Sequence, residues 1–369
     1  MTLRKVNLVI LVLLAVAFLI IVQRNLLNLS DFLHKENPDS GVILPFEAAL
    51  SQTLRPDSRP RSGDEIPVLI TAAEGRLGAT VTAINSIYSN TKANVVFTIV
   101  TLNQTVEHLR TWLDEPKFKD IKHKVVLFDP ELLREKIPQD SNSVEASKPL
   151  AFARFYLPLY FPEAEKAIYL DDDVVVQGDI QELFETNFKP GQAAAFSDDC
   201  DSSSAKGIIR GAGNQNNYMG FLDFTKDSIK KLGLRANTCS FNPGVFVANL
   251  TEWKNQNVTG QLEHWMQLNT QEDLYSKTLG DSAIAPPLLI VFYKRHSAID
   301  PMWHVRQLGM TGAGNRYSPQ FAKAAKLLHW NGHYKPWGHG AAFTDLWNPW
   351  YVQDPTGKFH PIRRHEDKA

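Results

Sequence analysis

Three consecutive carboxylates lie at the end of an apolar run and are followed by three valines. Residues 167–170 lead into Asp171, Asp172 and Asp173, and residues 174–176 follow. Positions two apart on a strand share a face, so Asp171 and Asp173 are predicted to meet one ligand while Asp172 points elsewhere. Like charges held side by side repel unless a cation lies between them, and a divalent metal carrying a phosphate ester is the usual occupant. The alternative, a loop of solvated acids, is disfavoured because the valines resume the buried pattern.

A second group of chemically active residues occurs near the end of the chain, in the stretch 327–337. His329 follows two leucines, and a histidine in that setting is more often a buried core residue than a ligand. Here Gly332 allows close approach of the backbone and Lys335 adds a cation. The stretch therefore combines three groups that suit a phosphate.

Two further segments contain polar residues next to predicted strands. Arg154 is the one charged residue in the apolar segment 150–157, where it either reaches the surface or clamps an anion. Asn242 and Gly244 lie in a predicted tight turn before a buried strand at 245–250, and both residue types can serve the turn alone.

Strands and helices alternate in the first half of the folded sequence. The pattern predicts strands at 66–73, 95–101 and 124–128 and helices at 79–89 and 104–113. Such alternation is typical of a largely parallel sheet covered by helices on both faces. Ligands of these sheets bind at the carboxyl ends of the strands, where residues 72–74 and 171–173 both lie.

The second half is less regular. A long loop-rich stretch at 190–238 is predicted to form a substrate lid or acceptor wall, because loops of this length inside a domain are usually functional or mobile. Periodicity predicts one amphipathic helix at 253–268.

The amino terminus contains an apolar run at 8–22 that is preceded by Arg4 and Lys5. At about 1.5 Å per residue it covers about 22 Å of a roughly 30 Å hydrocarbon core, and Leu26, Leu27 and Leu29 can extend it. No small-x-small cleavage site follows, so an uncleaved anchor is favoured over a cleaved signal peptide. The positive charges place the amino terminus in the cytoplasm, with the rest of the chain lumenal in a type II arrangement.

The predicted organisation has five parts. A cytoplasmic tail at 1–5 precedes a transmembrane anchor at 6–22 and a proline-broken lumenal stem at 23–65. A catalytic domain at 66–345 and a carboxyl-terminal extension at 346–369 follow.

Composition limits the partners and the redox chemistry. The 369 residues have a formal net charge of -1, which gives no indication of a nucleic-acid partner. Two cysteines, Cys200 and Cys239, exclude a disulfide scaffold and are predicted to form one bridge in an oxidising lumen, with a buried free Cys239 as the alternative. Asn-x-Ser/Thr sequons begin at four asparagines, of which Asn257 is favoured over Asn249 as a glycosylation site; the other two are Asn28 and Asn103.

Together these stretches resemble glycosyltransferase family 8, from about residue 66 to residue 337. The family's strand-end Asp-x-Asp is matched by Asp171 and Asp173, and its His-x-x-Gly-x-x-Lys-Pro-Trp begins at His329. An Asp-x-Asp alone is weak evidence, but both motifs together are specific. The resemblance implies that these three residues bind Mn²⁺, and that Lys335 and the backbone around Gly332 hold the diphosphate of a UDP-sugar. Carboxylates, imidazole and phosphate oxygens also form a chemically sensible manganese shell.

The same resemblance assigns the remaining donor contacts. The Phe-Asn-x-Gly-Val turn of the family is matched at Asn242 and Gly244, with Asn242 near the donor sugar. The end of the first strand, which holds the uracil ring, maps onto Ala72, Ala73 and Glu74. The arginine before the acidic strand maps onto Arg154.

The sequence departs from the family at one motif. Many members have an Asp-Gln-Asp that contacts the sugar, whereas the corresponding region here, residues 279–289, has only Asp281. We therefore expect Asp172, Asn242 and Asp281 to orient the sugar.

The resemblance implies an α/β GT-A fold, with a mixed, mostly parallel sheet flanked by helices, and a retaining hexosyltransferase of the Golgi or endoplasmic reticulum membrane. It would transfer sugar from a UDP-sugar to a glycan, glycolipid or protein acceptor. One alternative is a non-catalytic binder of nucleotide sugars or glycans with a degenerate sugar site. The other is a haloacid-dehalogenase-like phosphatase, whose nucleophile strand usually opens the domain.

Overall fold

The computed structural model describes residues 65–138, 148–198, 218–275, 284–312 and 316–362. All of them belong to one compact unit, Pro56–Ala369. Within these ranges no helix is long and apolar enough to cross a membrane. The predicted anchor at 6–22 lies outside the described residues, as does nearly all of the predicted stem.

The strands form one large sheet and one small sheet. In chain order they are β1 (Glu65–Ala72), β2 (Asn94–Thr101), β3 (Lys122–Leu127), β4 (Lys166–Leu170), β5 (Val174–Val176), β6 (Ala194–Phe196), β7 (Val245–Asn249), β8 (Ser297–Ala298) and β9 (Leu327–His329).

The large sheet has the order β3-β2-β1-β4-β7-β6-β8, and β5 pairs with β9 in the small one. Pairs within β3-β2-β1-β4 are parallel, whereas β7 runs antiparallel to both of its neighbours, β4 and β6. Since β8 is parallel to β6, only β7 is reversed among the described strands of this sheet. The predicted mixed, mostly parallel sheet is confirmed.

The α-helices flank the sheet. They are α1 (Leu77–Asn90), α2 (Val106–Leu113), α3 (Leu157–Tyr160), α4 (Ile180–Phe184), α5 (Asp227–Lys230), α6 (Leu250–Asn255), α7 (Val258–Glu272), α8 (Ala285–Phe292), α9 (Pro319–Ala324) and α10 (Thr344–Trp347). Several strands are preceded or followed by short 3-10 segments, of which Glu74–Arg76 and Pro149–Tyr156 contribute to the site described below.

Alternation along the central strands divides the core into two layers. Leu69, Tyr169 and Phe246 lie side by side on neighbouring strands and face one apolar cluster. The adjacent row, which includes Val68 and Ile168, faces the other. The sheet is therefore buried on both faces, which explains why its strands read as nearly continuous apolar runs.

The pattern around the acidic stretch indicates that the acids lie inside one strand. The structure places them between two strands instead. β4 ends at Leu170 and β5 begins at Val174, so the three carboxylates lie in the bend between two strands of different sheets. The valines resume the buried pattern because β5 starts a new pairing with β9, and not because β4 continues.

The prediction of a single helix at 253–268 is also wrong, because the structure has two helices there. Asn249 caps α6 by accepting a hydrogen bond from the Glu252 N–H, so the helix begins earlier than its apolar periodicity suggested. Asn257 then takes a left-handed conformation with φ 49°, which separates α6 from α7. A single period fitted across both helices hid this break.

The carboxyl-terminal segment packs against the first helix of the fold. Phe359 is buried in the same cluster as Leu77 and Trp112. Asp354 accepts a hydrogen bond from His108 on α2 at 2.9 Å, and the other ring nitrogen of His108 contacts Glu74 at 2.9 Å. This chain of contacts links the carboxyl-terminal segment to the loop after β1.

Gly78 tests this packing, because a Cβ at that position would lie 2.1 Å from the Phe359 ring. The added methyl group of an alanine would overpack the core, which costs about 1–3 kcal/mol of stability. The higher helix propensity of alanine would offset up to about 1 kcal/mol of that cost. We expect Gly78→Ala to lower the free energy of unfolding by on the order of 1 kcal/mol in denaturant titrations. A Cβ at Gly75 would meet nothing within 4 Å, so Gly75→Ala is the matched control. Equal stability of the two variants would contradict this packing.

Candidate functional site

Strand pairing brings the acidic bend, the Asn242 turn and His329 together. Leu170, the last residue of β4, pairs with Val245, the first of β7, and the Asp171 N–H donates to the Gly244 carbonyl at 2.7 Å. On the other side of the bend, Val174 pairs with His329. Segments far apart in sequence therefore meet at the carboxyl end of β4, as the sequence predicted.

Asp171, Asp173 and His329 form a cluster whose ligand atoms all lie within 4.8 Å of one another. The His329 Nε2 is 2.9 Å from Asp173 Oδ1 and 3.7 Å from Asp171 Oδ2. Ions that bind oxygen and nitrogen at about 2.0–2.2 Å place neighbouring ligand atoms about 3 Å apart. The spacing and the donor set fit a divalent metal.

Gly244 leaves the space that this cluster needs. A Cβ there would be 2.2 Å from Asp171 Oδ2 and 2.6 Å from His329 Cε1. The glycine is thus explained by close approach of the backbone to two predicted metal ligands. Asn242 holds the turn, because its Oδ1 accepts a hydrogen bond from the Gly244 N–H at 2.8 Å.

Arg154 does not reach the surface but is buried against Asp171. One guanidinium nitrogen donates to Asp171 Oδ1 at 2.7 Å, another donates to the Pro243 carbonyl at 2.8 Å, and the group stacks on the Tyr169 ring. Burial alone would lower the pKa of Arg154, but the neighbouring Asp171 carboxylate raises that pKa above its ordinary value. Arg154 is therefore a permanent positive charge at the acidic bend.

Lys335 neutralises Asp173. Its ammonium group donates to Asp173 Oδ2 and to the Trp330 carbonyl. Burial opposes ionisation of Asp173, yet Lys335 and His329 hold its pKa well below the usual range. Asp173 is thus ionised, as a metal ligand must be.

Asp172 points away from the cluster, as predicted, and binds Arg76. The Arg76 guanidinium donates to both Asp172 oxygens, lies 3.3 Å from Asp173 Oδ2 and stacks over Trp337. Burial would lower the pKa of Arg76, but Asp172 and Asp173 raise it above its ordinary value. Arg76 thereby connects the end of β1, the acidic bend and the Lys-Pro-Trp segment.

Other predicted donor contacts are placed as follows. Ala72 is fully buried, Ala73 is partly buried, and Glu74 is exposed and contacts His108, so of the three residues predicted to hold the uracil ring only Ala73 and Glu74 present surface. Gly332 has φ 125°, and a Cβ there would lie 2.7 Å from the Gly309 carbonyl oxygen. Tight packing against Gly309 already accounts for glycine at 332.

Several predicted residues are not among those that the structure describes. Asp281 and Asn28 lie outside the described residues, as do residues 199–217 of the predicted lid, which include Cys200. Cys239 is disulfide-bonded, and its pairing with Cys200 stays a prediction. Asn257 is exposed between α6 and α7, whereas Asn249 is half-buried and caps α6.

Sequence analysis missed three residues of the site. Arg76 had a usable signal, since it is a basic residue just after the first strand, where ligands of such sheets bind. Tyr169, whose hydroxyl donates to Asp171 Oδ1 at 2.9 Å, was treated only as strand. His304 lies 2.9 Å from His329 and had no signal, because it occurs in an irregular segment.

Comparison with known proteins identifies the lineage. The glycosyl transferase family 8 profile matches residues 67–341. Glycosyltransferase 8 domain-containing protein 1 of Danio rerio is 67% identical over 370 residues, covering 100% of both chains. The chain belongs to glycosyl transferase family 8. The human protein of the same name is 58% identical over 367 residues, covering 100% of this chain and 99% of its own. Mouse glycosyltransferase 8 domain-containing protein 2 is 50% identical over 357 residues, covering 97% of each chain.

Solved structures support the same fold. The galactosyltransferase LgtC, crystallised with donor and acceptor sugar analogues, superposes with a TM-score of 0.55 at 17% identity, over 80% of this chain and 100% of LgtC. WbbM, a bifunctional glycosyltransferase, gives a TM-score of 0.53 at 18% identity, over 81% of this chain and 51% of its own. At these identities the similarity shows the GT-A-like fold alone.

Gly244→Ala tests the geometry of the cluster without removing a ligand. The new Cβ displaces Asp171 or His329, so we expect at least a tenfold loss of Mn²⁺ affinity, comparable to losing a supporting contact. Isothermal titration with MnCl₂ and UDP measures it. Gly220→Ala adds a methyl group to open space at an exposed position without a left-handed φ, so it serves as the control for loss of a glycine. Unchanged Mn²⁺ affinity in Gly244→Ala would show that the ion does not lie between Asp171 and His329.

Proposed function

We propose that this protein is a retaining, Mn²⁺-dependent glycosyltransferase that moves a hexosyl group from a UDP-sugar to a lumenal acceptor. The convergence of Asp171, Asp173 and His329 at the carboxyl end of β4 is the observation that carries the proposal. Membership of the family supplies the reaction class. The phosphatase alternative loses its support, because β4, the strand that leads into the acids, is the fourth of the described strands and not the first.

Asp171, Asp173 and His329 would hold the metal. When bound, the ion supplies electrophilic stabilisation of the leaving diphosphate. Manganese is favoured because carboxylate and phosphate oxygens with one imidazole suit it.

Lys335 and Arg154 provide fixed positive charge beside the same carboxylates. The Lys335 ammonium is on the side of Asp173, and the Arg154 guanidinium is on the side of Asp171. Lys335 is only partly buried, and its flexible side chain can turn from Asp173 toward a diphosphate. Arg154 is fully enclosed and is better suited to holding Asp171 in place. Stabilising the leaving group in this way requires no strong base.

Orientation of the sugar is assigned to Asp172, Asn242 and Asp281. Asp172 lies between two of the proposed metal ligands in the chain, Asn242 lies in the turn that contains Gly244, and each side chain is fixed by a hydrogen bond. Asp281 is proposed because it is the one acid where many family members have Asp-Gln-Asp. The acceptor would attack from the face that the diphosphate leaves.

The proposed location is the Golgi or endoplasmic reticulum membrane, with residues 6–22 as a type II anchor and the catalytic domain in the lumen. The apolar run, the flanking Arg4 and Lys5 and the sequon at the exposed Asn257 support it. The proposed Cys200–Cys239 bridge suits the same oxidising compartment.

The test is release of UDP from a panel of UDP-sugars, with and without Mn²⁺ and with candidate acceptor glycans. A thermal-shift panel first ranks donors, because a ligand that binds only the native state raises its melting temperature. We expect Mn²⁺-dependent, acceptor-stimulated release that is lost in Asp173→Ala. Mn²⁺-dependent binding of UDP-sugar without release under any acceptor would indicate the non-catalytic binder instead.

Asp281→Ala tests the missing motif. A contact made in the transition state appears in turnover and not in nucleotide affinity, so we expect turnover to fall on the order of 10²-fold with UDP affinity nearly unchanged. Progress curves with acceptor and UDP competition measure the two quantities. Transfer at the parental rate would show that Asp281 has no role in the reaction.

A further inference from the structure

His304 is a buried side chain that the proposed reaction does not use. It is 2% exposed, and its Nε2 lies 2.9 Å from the Nδ1 of His329, with the two rings stacked at 5.1 Å. Its other nitrogen, Nδ1, has no hydrogen-bond partner among the described residues. A buried imidazole with a single hydrogen bond, directed at a predicted metal ligand, calls for an explanation.

The backbone holds His304 opposite His329. A 3-10 turn at Pro301–Trp303 is capped by Asp300 and ends at His304. The next residue, Val305, donates to the Leu327 carbonyl at 3.0 Å and accepts from the His329 N–H at 2.8 Å. These two bonds align residues 304–305 with β9, so the distance between the imidazoles is set by main-chain pairing.

A neutral imidazole has one N–H donor and one acceptor nitrogen, and only the acceptor can bind a metal. The His329 Nε2 faces Asp173 and Asp171, so it must be the acceptor nitrogen when a metal is bound. The proton of His329 then lies on Nδ1, which needs an acceptor. His304 Nε2 is at the right distance and on the right side.

We propose that His304 is a positioning residue that accepts the Nδ1–H of His329 and thereby presents His329 Nε2 to the metal. Metal-bound histidines generally donate the N–H of their second ring nitrogen to such a partner, usually a carboxylate or carbonyl. Here a second histidine takes that place. In this arrangement His304 keeps its own proton on the unpartnered Nδ1. The inference rests on the proposed metal site.

The test compares His304→Phe, which keeps a ring but has no acceptor, with His304→Gln, whose side-chain carbonyl can accept the His329 proton. Mn²⁺ is titrated in the presence of UDP, and free Mn²⁺ is followed by electron paramagnetic resonance. We expect His304→Phe to weaken Mn²⁺ binding about 10- to 100-fold and His304→Gln to restore it to within about threefold of the parent. Tyr317→Phe is the control, because it removes one buried hydrogen bond, to the Arg306 carbonyl, in the neighbouring apolar cluster.

Parental affinity in His304→Phe, or equal losses in the Phe and Gln variants, would overturn the proposal. If the parent protein does not bind Mn²⁺ in the presence of UDP, the proposed function itself is contradicted, and not only the role of His304. A second measurement does not depend on folding of a variant. In ¹⁵N-histidine-labelled parent protein with Mg²⁺ and UDP, the His329 ring should carry its proton on Nδ1, and a proton on Nε2 would contradict the assignment.

Discussion

Three adjacent carboxylates beside the core are the constraint on which the rest of the structure depends. Asp172 and Asp173 are almost fully buried, and an isolated ionised carboxylate in that environment costs many kcal/mol. Each acid therefore has its own cation: Arg154 for Asp171, Arg76 for Asp172 and Lys335 for Asp173. Removing one partner of a buried pair leaves an unpaired charge, at a cost of about 3–5 kcal/mol.

These cations come from three distant parts of the chain, so the site can form only when the sheet has assembled. Arg76 follows β1, Arg154 precedes β4, and Lys335 follows β9. The six charged groups balance, so a divalent metal alone would leave a surplus of positive charge. A metal that binds together with a negatively charged diphosphate would leave no such surplus. Charge balance therefore favours joint binding of metal and nucleotide over binding of the metal alone.

Much of the fold and of the candidate site could be predicted because both depend on local patterns. Buried strands read as apolar runs, and Asp171, Asp173 and His329 stand in motifs with fixed spacing. The two structural errors came from extending one period across a boundary: the bend at the acids separates two sheets, and left-handed Asn257 separates α6 from α7. Arg76 and His304 were not predicted as site residues, because their roles arise from tertiary contacts that the spacing of residues along the chain does not reveal.

The central claim is that Asp171, Asp173 and His329 bind a single metal ion together with UDP. Anomalous diffraction from crystals grown with MnCl₂ and UDP, collected above and below the manganese edge, tests it most directly. The account predicts one anomalous peak within coordination distance of an Asp171 carboxylate oxygen, an Asp173 carboxylate oxygen and His329 Nε2, with the diphosphate completing the shell. A peak whose coordination omits His329, or UDP bound at the end of β4 with no manganese beside it, would contradict the account.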